Sequence, residues 1–331
     1  MMVGFAVLGC GRIGGMHARD IRAHPRATLV SCYDVIRGAA KDTAKELGVA
    51  VADSVDDVLS DRRVRAVLIA SSTDTHIDLI TRCVKAGKGV FCEKPVDLDI
   101  ARVDACWADI GKLDPLIMIG FNRRFDPSFK ALHARVEAGE IGRLEQLVIT
   151  SRDPSPPPPA YVASSGGLFR DMMIHDFDMA RCLAGEIVEV HAVGATLIDP
   201  EIARLGDIDA AMVVMRAASG ALIHINNSRR CAYGYDQRLE AFGEKAMLQV
   251  HNRHQTTVES WSADRTHAMD PVQDFFIARY AEAYMAEIDH FVDCVERREK
   301  PLVGFADGRA ALLLADAAAA SLRSGGAVRL A

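Results

Sequence analysis

The clearest indication of the fold is Val3-Gly-Phe-Ala-Val-Leu8, which Gly9-Cys-Gly-Arg-Ile-Gly14 follows directly. The first six residues are an apolar run typical of a strand buried in a parallel sheet. The next six match the G-x-G-x-x-G pattern, in which glycines permit a tight turn and let a pyrophosphate approach the start of a helix. A strand before the glycines and a helical segment after them favour dinucleotide binding over a plain tight turn.

Short apolar runs and helical segments alternate through the first third of the chain. The apolar runs cover residues 3–8, 27–33, 66–70, 89–92 and 116–119, and the helical segments cover residues 15–24, 39–47, 76–86 and 100–110. Strand and helix repeated in this way predict a parallel sheet covered by helices on both faces. The predicted fold class is therefore α/β, with an N-terminal Rossmann parallel sheet.

The pattern changes after about residue 122, where longer strands with alternating apolar and polar residues follow one another. These strands cover residues 144–150, 188–196, 210–215, 222–226 and 237–242, and helical segments cover residues 129–138, 275–295 and 308–322. Consecutive half-exposed strands with few helices between them predict one mostly antiparallel sheet. We therefore divide the chain into residues 1–121, which bind the nucleotide, and residues 122–331, a C-terminal α+β domain.

The composition excludes several classes of function. Lys and Arg number 39 against 45 Asp and Glu, and the net charge of −6 argues against a nucleic-acid binder. The apolar run at the start is too short to span a bilayer and has no basic residue before it, so neither a membrane helix nor a signal peptide is expected. None of the eight cysteines forms a Cys-x-x-Cys pair, which favours a cytoplasmic chain with reduced thiols.

A carboxylate stands where the ribose of a bound dinucleotide is expected. Asp34 ends the second predicted strand, 20 residues after Gly14. A carboxylate at this point accepts hydrogen bonds from the ribose hydroxyls and repels a 2′-phosphate, which favours NAD over NADP. Arg37 is near enough in sequence to pair with such a phosphate, but we prefer to interpret it as a solvated surface charge.

The segment Glu93-Lys94-Pro95 follows a predicted core strand. In open parallel sheets this edge lines the ligand crevice, so Lys94 can lie near the nicotinamide. The alternative is an ordinary surface lysine, the usual position of this residue type. The Lys94–Pro95 bond is also a candidate for a cis peptide.

Asp171 and His175 are four positions apart on a helix that is predicted to begin after Gly166-Gly167, so they share one helical face. Three interpretations are open: a proton relay, a metal pair, or a structural cap and salt bridge. The metal pair lacks a further His or Cys at ligand spacing, so no metal is expected. We favour the proton relay, because oxidation of an alcohol removes a proton as the hydride leaves and a neutral imidazole suits that step.

Taken together, these segments and Gly120–Asp126 resemble the Gfo/Idh/MocA oxidoreductases over nearly the whole chain. The segments 151–181 and 233–243 resemble, more narrowly, the members of that family that act on inositol. The resemblance implies a Rossmann domain with NAD, followed by an open-faced sheet domain that binds a polyol substrate and forms the oligomer interface of a homotetramer. It also implies oxidation of myo-inositol at one ring hydroxyl to scyllo-inosose.

The resemblance assigns roles to individual residues. Lys94, Asp171 and His175 match the catalytic set of the family: His175 takes the hydroxyl proton, Lys94 hydrogen-bonds the same oxygen, and Asp171 orients both. The implied polyol contacts are Arg124, Asp153 and Tyr235, with Tyr233 as a weaker one, beside Asp171 and His175. The implied cofactor contacts are Gly9, Gly11, Arg12, Ile13, Gly14, Asp34, Val35, Ser71, Ser72, Thr73, His76, Glu93 and Lys94. Helix capping is the alternative role for the hydroxyls among them.

Three other functions compete with this interpretation. A dehydrogenase of the same family that acts on scyllo-inositol, another cyclitol or an aldose keeps the whole framework and changes only the hydroxyl contacts. A non-catalytic NAD-binding regulator has no need of an intact Lys94/Asp171/His175 set. A nucleic-acid binder could use only the short basic runs at residues 62–65 and 297–298, which acidic residues flank.

Overall fold

A computed structural model describes residues 2–330 of the chain. It contains two compact units, each made from two parts of the sequence. The first unit comprises the residues up to Phe125 together with Ala283–Leu312, and the second comprises Asp126–Glu282 together with the residues after Leu312. The division drawn from sequence after residue 121 put all later helices in the second domain, whereas residues 283–312 pack with the first unit.

The first unit has a six-stranded sheet in the order β3-β2-β1-β4-β5-β6, and every neighbouring pair is parallel. The strands are β1 Val3–Leu8, β2 Ala27–Tyr33, β3 Ala50–Val51, β4 Ala66–Ile69, β5 Gly89–Glu93 and β6 Ile117–Gly120. Every residue of β1 is buried, as expected for a central strand covered on both faces. The predicted Rossmann sheet is confirmed.

Five helices connect these strands. They are α1 Arg12–Ala23, α2 Arg37–Leu47, α3 Val55–Ser60, α4 His76–Lys85 and α5 Ile100–Ile110. Ser54 caps α3 and Asp99 caps α5, each by accepting a backbone N–H two or three residues on. Helix α1 begins after Gly11 and, like α2 and α4, receives no side-chain cap. Its first N–H groups are therefore available to an anion.

The second unit has a seven-stranded sheet in the order β12-β11-β7-β10-β9-β8-β15, in which only the β7–β10 pair is parallel. The strands are β7 Leu144–Arg152, β8 Ile187–Ala195, β9 Ala210–Ala217, β10 Leu222–Ser228, β11 Asp236–Gly243, β12 Met247–Val250 and β15 Val328–Arg329, with a separate hairpin of β13 Glu259–Ser260 and β14 Ala268–Met269. Along β9, buried and exposed residues alternate, so one face of the sheet is covered and the other is open. The predicted mostly antiparallel sheet is confirmed, although β12 and β15 were not predicted.

The remaining helices follow β6 in the chain, and their parts within residues 283–312 belong to the first unit. They are α6 Pro127–Glu137, α7 Pro159–Ser165, α8 Gly167–Asp171, α9 Ile174–Ala184, α10 Pro200–Arg204, α11 Phe276–Arg279, α12 Ala281–Arg297 and α13 Phe305–Ser324. Asp126 caps α6 through the N–H groups of Ser128 and Phe129, with Pro127 in its first turn. Within residues 2–330, no helix is long and apolar enough to cross a membrane.

Candidate functional site

The glycine-rich loop between β1 and α1 has the shape of a phosphate cradle. Gly9 has a φ of +94°, and a Cβ atom there would lie 2.5 Å from the backbone of Ala70. A Cβ atom on Gly14 would lie 1.8 Å from the Gly9 carbonyl oxygen, so Gly14 lets α1 pack against the turn. A Cβ atom on Gly11, by contrast, would meet no described atom within 4 Å. Gly11 thus borders open space at the uncapped start of α1, which fits a dinucleotide pyrophosphate.

Asp34 is fixed directly after β2. Its Oδ2 accepts the Cys10 backbone N–H at 2.7 Å, and its Oδ1 accepts the Ile36 N–H at 2.7 Å. Each oxygen keeps a second lone pair, so the carboxylate can also accept from a pair of ribose hydroxyls. Val35 and Ile36 are exposed beside it. Arg37 forms an exposed ion pair with Asp53 at 2.6 Å, as expected of a surface charge.

The loop after β4 is held by its own side chains. The hydroxyls of Ser71 and Thr75 lie 2.7 Å apart, and Thr75 Oγ1 donates to the Ser72 carbonyl. His76 is buried, with its ring nitrogens 2.8 Å from the Pro95 carbonyl oxygen and 3.1 Å from that of Ser71. Burial lowers the pKa of this imidazole. His76 therefore connects the loops after β4 and β5 from inside the unit, and its cofactor contact stays a prediction.

Lys94 lies at the carboxyl end of β5 and precedes a cis peptide bond to Pro95. The Glu93 side chain fixes the backbone here, because its Oε2 accepts the Lys94 N–H at 3.2 Å. Its Oε1 lies 2.7 Å from Nε2 of His17, a fully buried residue of α1. Sequence reasoning missed His17, whose only local signal is its place three residues after Gly14.

Arg124 belongs to the first unit. It lies in a short 3₁₀ turn at Asn122–Phe125, and its Nη2 donates to Asp307 Oδ1 at 3.3 Å. The Asp307 carboxylate also accepts the Gly304 backbone N–H. The guanidinium therefore has a fixed direction, while its contact with a polyol stays a prediction.

Asp171 and His175 lie in the second unit, but on two helices rather than one. The helix begins at Gly167, one residue earlier than predicted, and Gly166 and Gly167 both have positive φ. However, α8 ends at Asp171 and α9 begins at Ile174, so the expectation of one continuous helix was wrong. The Met173 N–H bonds to the Leu168 carbonyl five residues earlier, which closes α8 with a wider turn.

Both oxygens of Asp171 have partners. Oδ1 accepts the Tyr161 hydroxyl at 2.8 Å, and Oδ2 accepts from Arg229 Nη1 at 3.2 Å. Tyr161 is half-exposed, whereas Arg229 is fully buried. Sequence reasoning missed both residues, because neither occurs in a recognisable pattern with Asp171.

The first turn of α9 is anchored to the sheet by the residue after His175. Asp176 is fully buried, and its two oxygens accept the Ser151 hydroxyl of β7 at 2.6 Å and the Asn227 amide of β10 at 2.9 Å. These bonds fix the backbone that carries His175. Among residues 2–330, no group of three or more His, Cys, Asp or Glu side chains comes together in a way that could hold a metal ion.

The remaining predicted polyol contacts border the same sheet. Asp153 follows β7, and its backbone N–H donates to the Ser228 carbonyl at 2.9 Å. Tyr235 is mostly buried, with its ring edge-on to Tyr280 at 6.0 Å. Tyr233 donates its hydroxyl to Asp236 at 2.6 Å, and burial together with that carboxylate raises the pKa of Tyr233 to about 12. Their contacts with substrate stay predictions.

Comparison with known proteins finds matches along the whole chain. Residues 3–121 match the oxidoreductase family with an NAD-binding Rossmann fold, and residues 129–249 match the GFO/IDH/MocA C-terminal domain. The inositol 2-dehydrogenase of Rhizobium meliloti is 45% identical over 97% of both chains. The predicted cofactor, NAD, and the predicted family are thereby confirmed.

Two solved structures have the same fold. A myo-inositol dehydrogenase from Corynebacterium glutamicum is 47% identical, with a TM-score of 0.97 over 100% of this chain and 99% of that chain. A scyllo-inositol dehydrogenase from Lactobacillus casei, with bound NAD(H) and scyllo-inositol, is 28% identical, with a TM-score of 0.91 over 99% of each chain.

Proposed function

The chain belongs to the GFO/IDH/MocA family of NAD-binding oxidoreductases, and we propose that it oxidises myo-inositol to scyllo-inosose. The observation that carries this proposal is the 45% identity to an inositol 2-dehydrogenase over 97% of both chains. The carbon that reacts is the one that bears the axial hydroxyl of myo-inositol, because its oxidation gives scyllo-inosose.

Each proposed catalytic residue has a separate task. Bound NAD supplies the hydride acceptor. His175 takes the hydroxyl proton, as a neutral imidazole can near pH 7. Lys94 donates a hydrogen bond to the oxygen as negative charge develops on it, and Asp171 fixes the direction of its cationic neighbours by hydrogen bonding.

Substrate selection depends on hydrogen bonds rather than on charge. A polyol is neutral, so the net charge of −6 supplies no attraction toward it. A site built from hydrogen-bonding groups discriminates strongly against a misplaced hydroxyl, because its own buried polar groups are then left unpaired. We assign these contacts to Arg124, Asp153 and Tyr235.

The open face of the second unit's sheet supports self-association, which we propose gives a homotetramer. Six large apolar side chains are exposed on this sheet: Val193, Met212, Val214, Leu222, Phe242 and Met247. The strand register puts Phe242 directly beside Met247, and Val193 beside Met212. A sheet face that exposes this many large apolar side chains is typical of an interface. Light scattering after size-exclusion chromatography measures the assembly, and a monomer at working concentration would contradict this part of the proposal.

The test of the proposed reaction is a set of initial rates of NADH formation. The substrates are myo-inositol, scyllo-inositol, a further cyclitol epimer and several aldoses, each with NAD and with NADP. We expect the highest kcat/KM with myo-inositol and NAD. Activity only on scyllo-inositol or an aldose would replace the substrate assignment, and no reduction of NAD with any polyol would overturn the enzymatic proposal.

A further inference from the structure

The structure of the second unit contains a buried arginine that no part of the proposed reaction uses. Arg229 directly follows β10, and its backbone N–H donates to the Asp209 carbonyl at 2.8 Å. Its side chain is only 1% exposed. A guanidinium this deeply buried carries a large desolvation cost, so its partners indicate what it does.

Those partners are two carboxylates at opposite ends of α8. At the C-terminal end, Arg229 Nη1 donates to Asp171 Oδ2 at 3.2 Å. At the N-terminal end, Arg229 Nη2 lies 3.9 Å from Asp207 Oδ2. The other oxygen of Asp207 accepts the Leu168 N–H of the first turn of α8 at 3.0 Å. One guanidinium thus hydrogen-bonds the carboxylate at one end of the helix and forms a longer ion pair, without a hydrogen bond, with the carboxylate at the other end.

Helix α8 needs such support because it has only five residues. A helix of that length is not stable by itself in water, so its position depends on tertiary contacts. The approach at its start is close, since a Cβ atom on Gly167 would lie 2.7 Å from Asp207 Oδ1. The planar fork of an arginine can reach both carboxylates, which the single ammonium of a lysine cannot.

We propose that Arg229 is a positioning residue, which fixes the Asp171 carboxylate by tying both ends of α8 to the end of β10. The proposal rests on the catalytic role assigned to Asp171 above. Tyr161 holds the second oxygen of Asp171 from the exposed side, so Arg229 supplies the fixed, buried half of the arrangement.

The bonding of Arg229 is poorly optimised for stability. Within residues 2–330, its Nε and Nη2 have no hydrogen-bond partner. A buried ion pair with unsatisfied donors is often no more stable than apolar residues of the same volume. Its presence is better explained by what it does to Asp171 than by a contribution to the free energy of unfolding.

A double-mutant cycle tests this proposal. The variants are Arg229→Met, Arg229→Lys and Asp171→Asn, together with the doubles that combine each Arg229 change with Asp171→Asn. We expect Arg229→Met to lower kcat at least about tenfold while the polyol KM changes less than about threefold. Arg229→Lys restores one of the two links and gives an intermediate kcat. In the Asp171→Asn background, neither change lowers kcat further, because the group through which Arg229 acts is already disabled.

Arg230→Met is the matched control, since Arg230 is the adjacent arginine and is exposed. We expect it to keep the wild-type kcat. NADH affinity, measured by fluorescence, stays unchanged in all variants because the cofactor-binding residues lie in the first unit. If Arg229→Met does not fold, Arg229→Lys and Asp207→Asn take its place, and their effects on kcat are compared with and without Asp171→Asn in the same way.

The outcomes separate the two proposals. Suppose that Asp171→Asn lowers kcat, and that each Arg229 change lowers kcat by the same factor in the Asp171→Asn background as in wild type. Arg229 then does not act through Asp171, and the positioning role is wrong. A rise in polyol KM with kcat unchanged also overturns it. If Asp171→Asn itself keeps wild-type turnover, the proposed role of Asp171 fails, and this inference fails with it.

Discussion

Glu287, on α12, offers a direct test of the electrostatics of the first unit. Its side chain is fully buried, and neither carboxylate oxygen has a hydrogen-bond partner within residues 2–330. Burial raises the pKa of Glu287 well above its usual range, and the charges of Glu93 and Asp20 raise it further. The folded protein therefore favours the neutral, protonated form of Glu287.

The perturbation is Glu287→Met, which removes the polar atoms and keeps a side chain of similar length. Burying an unpaired polar group costs about 1–3 kcal/mol, so the variant should be more stable by about 2 kcal/mol. At about 2.1 cal/mol/K per residue, a chain of 331 residues that unfolds as one unit gains about 3 °C in Tm from that change.

The pH dependence has a defined sign. Glu287 titrates near pH 4.3 when unfolded and at a higher pH when folded. Between these values the folded state keeps a proton that the unfolded state releases, so wild-type stability falls by about 1.4 kcal/mol per pH unit from this group. The gain in the free energy of unfolding of Glu287→Met over wild type is thus smallest near pH 4.3 and increases as the pH rises.

The assay is urea and thermal unfolding of wild type, Glu287→Met and Glu287→Gln at about pH 5 and about pH 8. The glutamine variant cannot titrate but keeps a buried polar group. Its stability relative to wild type should therefore also increase with pH, but its pH-independent gain in stability should be smaller than that of the methionine variant. A methionine variant that is less stable than wild type at both values, or a gap that does not change with pH, would refute this account of Glu287.

Three further predictions concern the candidate site. Gly11→Ala should leave Tm within about 2 °C of wild type and raise the Kd for NADH about tenfold or more. Gly14→Ala, whose methyl would lie 1.8 Å from a carbonyl oxygen, should lower Tm. Thermal scans and NADH fluorescence measure both variants, and unchanged NADH affinity in Gly11→Ala would contradict the phosphate cradle. Asp34→Asn should reduce the NAD-over-NADP preference in kcat/KM by about tenfold or more, and an unchanged ratio would show that another group sets it. Lys94→Ala and His175→Ala should each lower kcat with myo-inositol about 100-fold or more while NADH still binds, and near-normal turnover in either variant would remove that residue from the mechanism.

The N-terminal sheet could be predicted from sequence because its signals are local. Each strand of the Rossmann sheet is a short apolar run, and the glycines of the first loop mark both the turn and the start of α1. The break between α8 and α9 could not be predicted, since Met172 and Met173 are good helix formers and no glycine or proline marks the turn. That turn depends on buried contacts such as those of Asp176.

The supporting residues of the site were missed for a related reason. His17 and Glu93 are 76 positions apart, and Arg229 and Asp171 are 58 apart, so no sequence window contains either pair. The return of residues 283–312 to the first unit is similar, because the amphipathic pattern of α12 indicates a buried face but not the partner that covers it.

We propose that this chain transfers a hydride from the axial-hydroxyl carbon of myo-inositol to NAD. The most direct measurement uses myo-inositol that carries deuterium on that carbon, followed by mass spectrometry of the nucleotide and of the ketone product. We predict deuterated NADH and scyllo-inosose without deuterium in equal amounts. Deuterium retained in the product, or no NADH formed from myo-inositol, would contradict the claim.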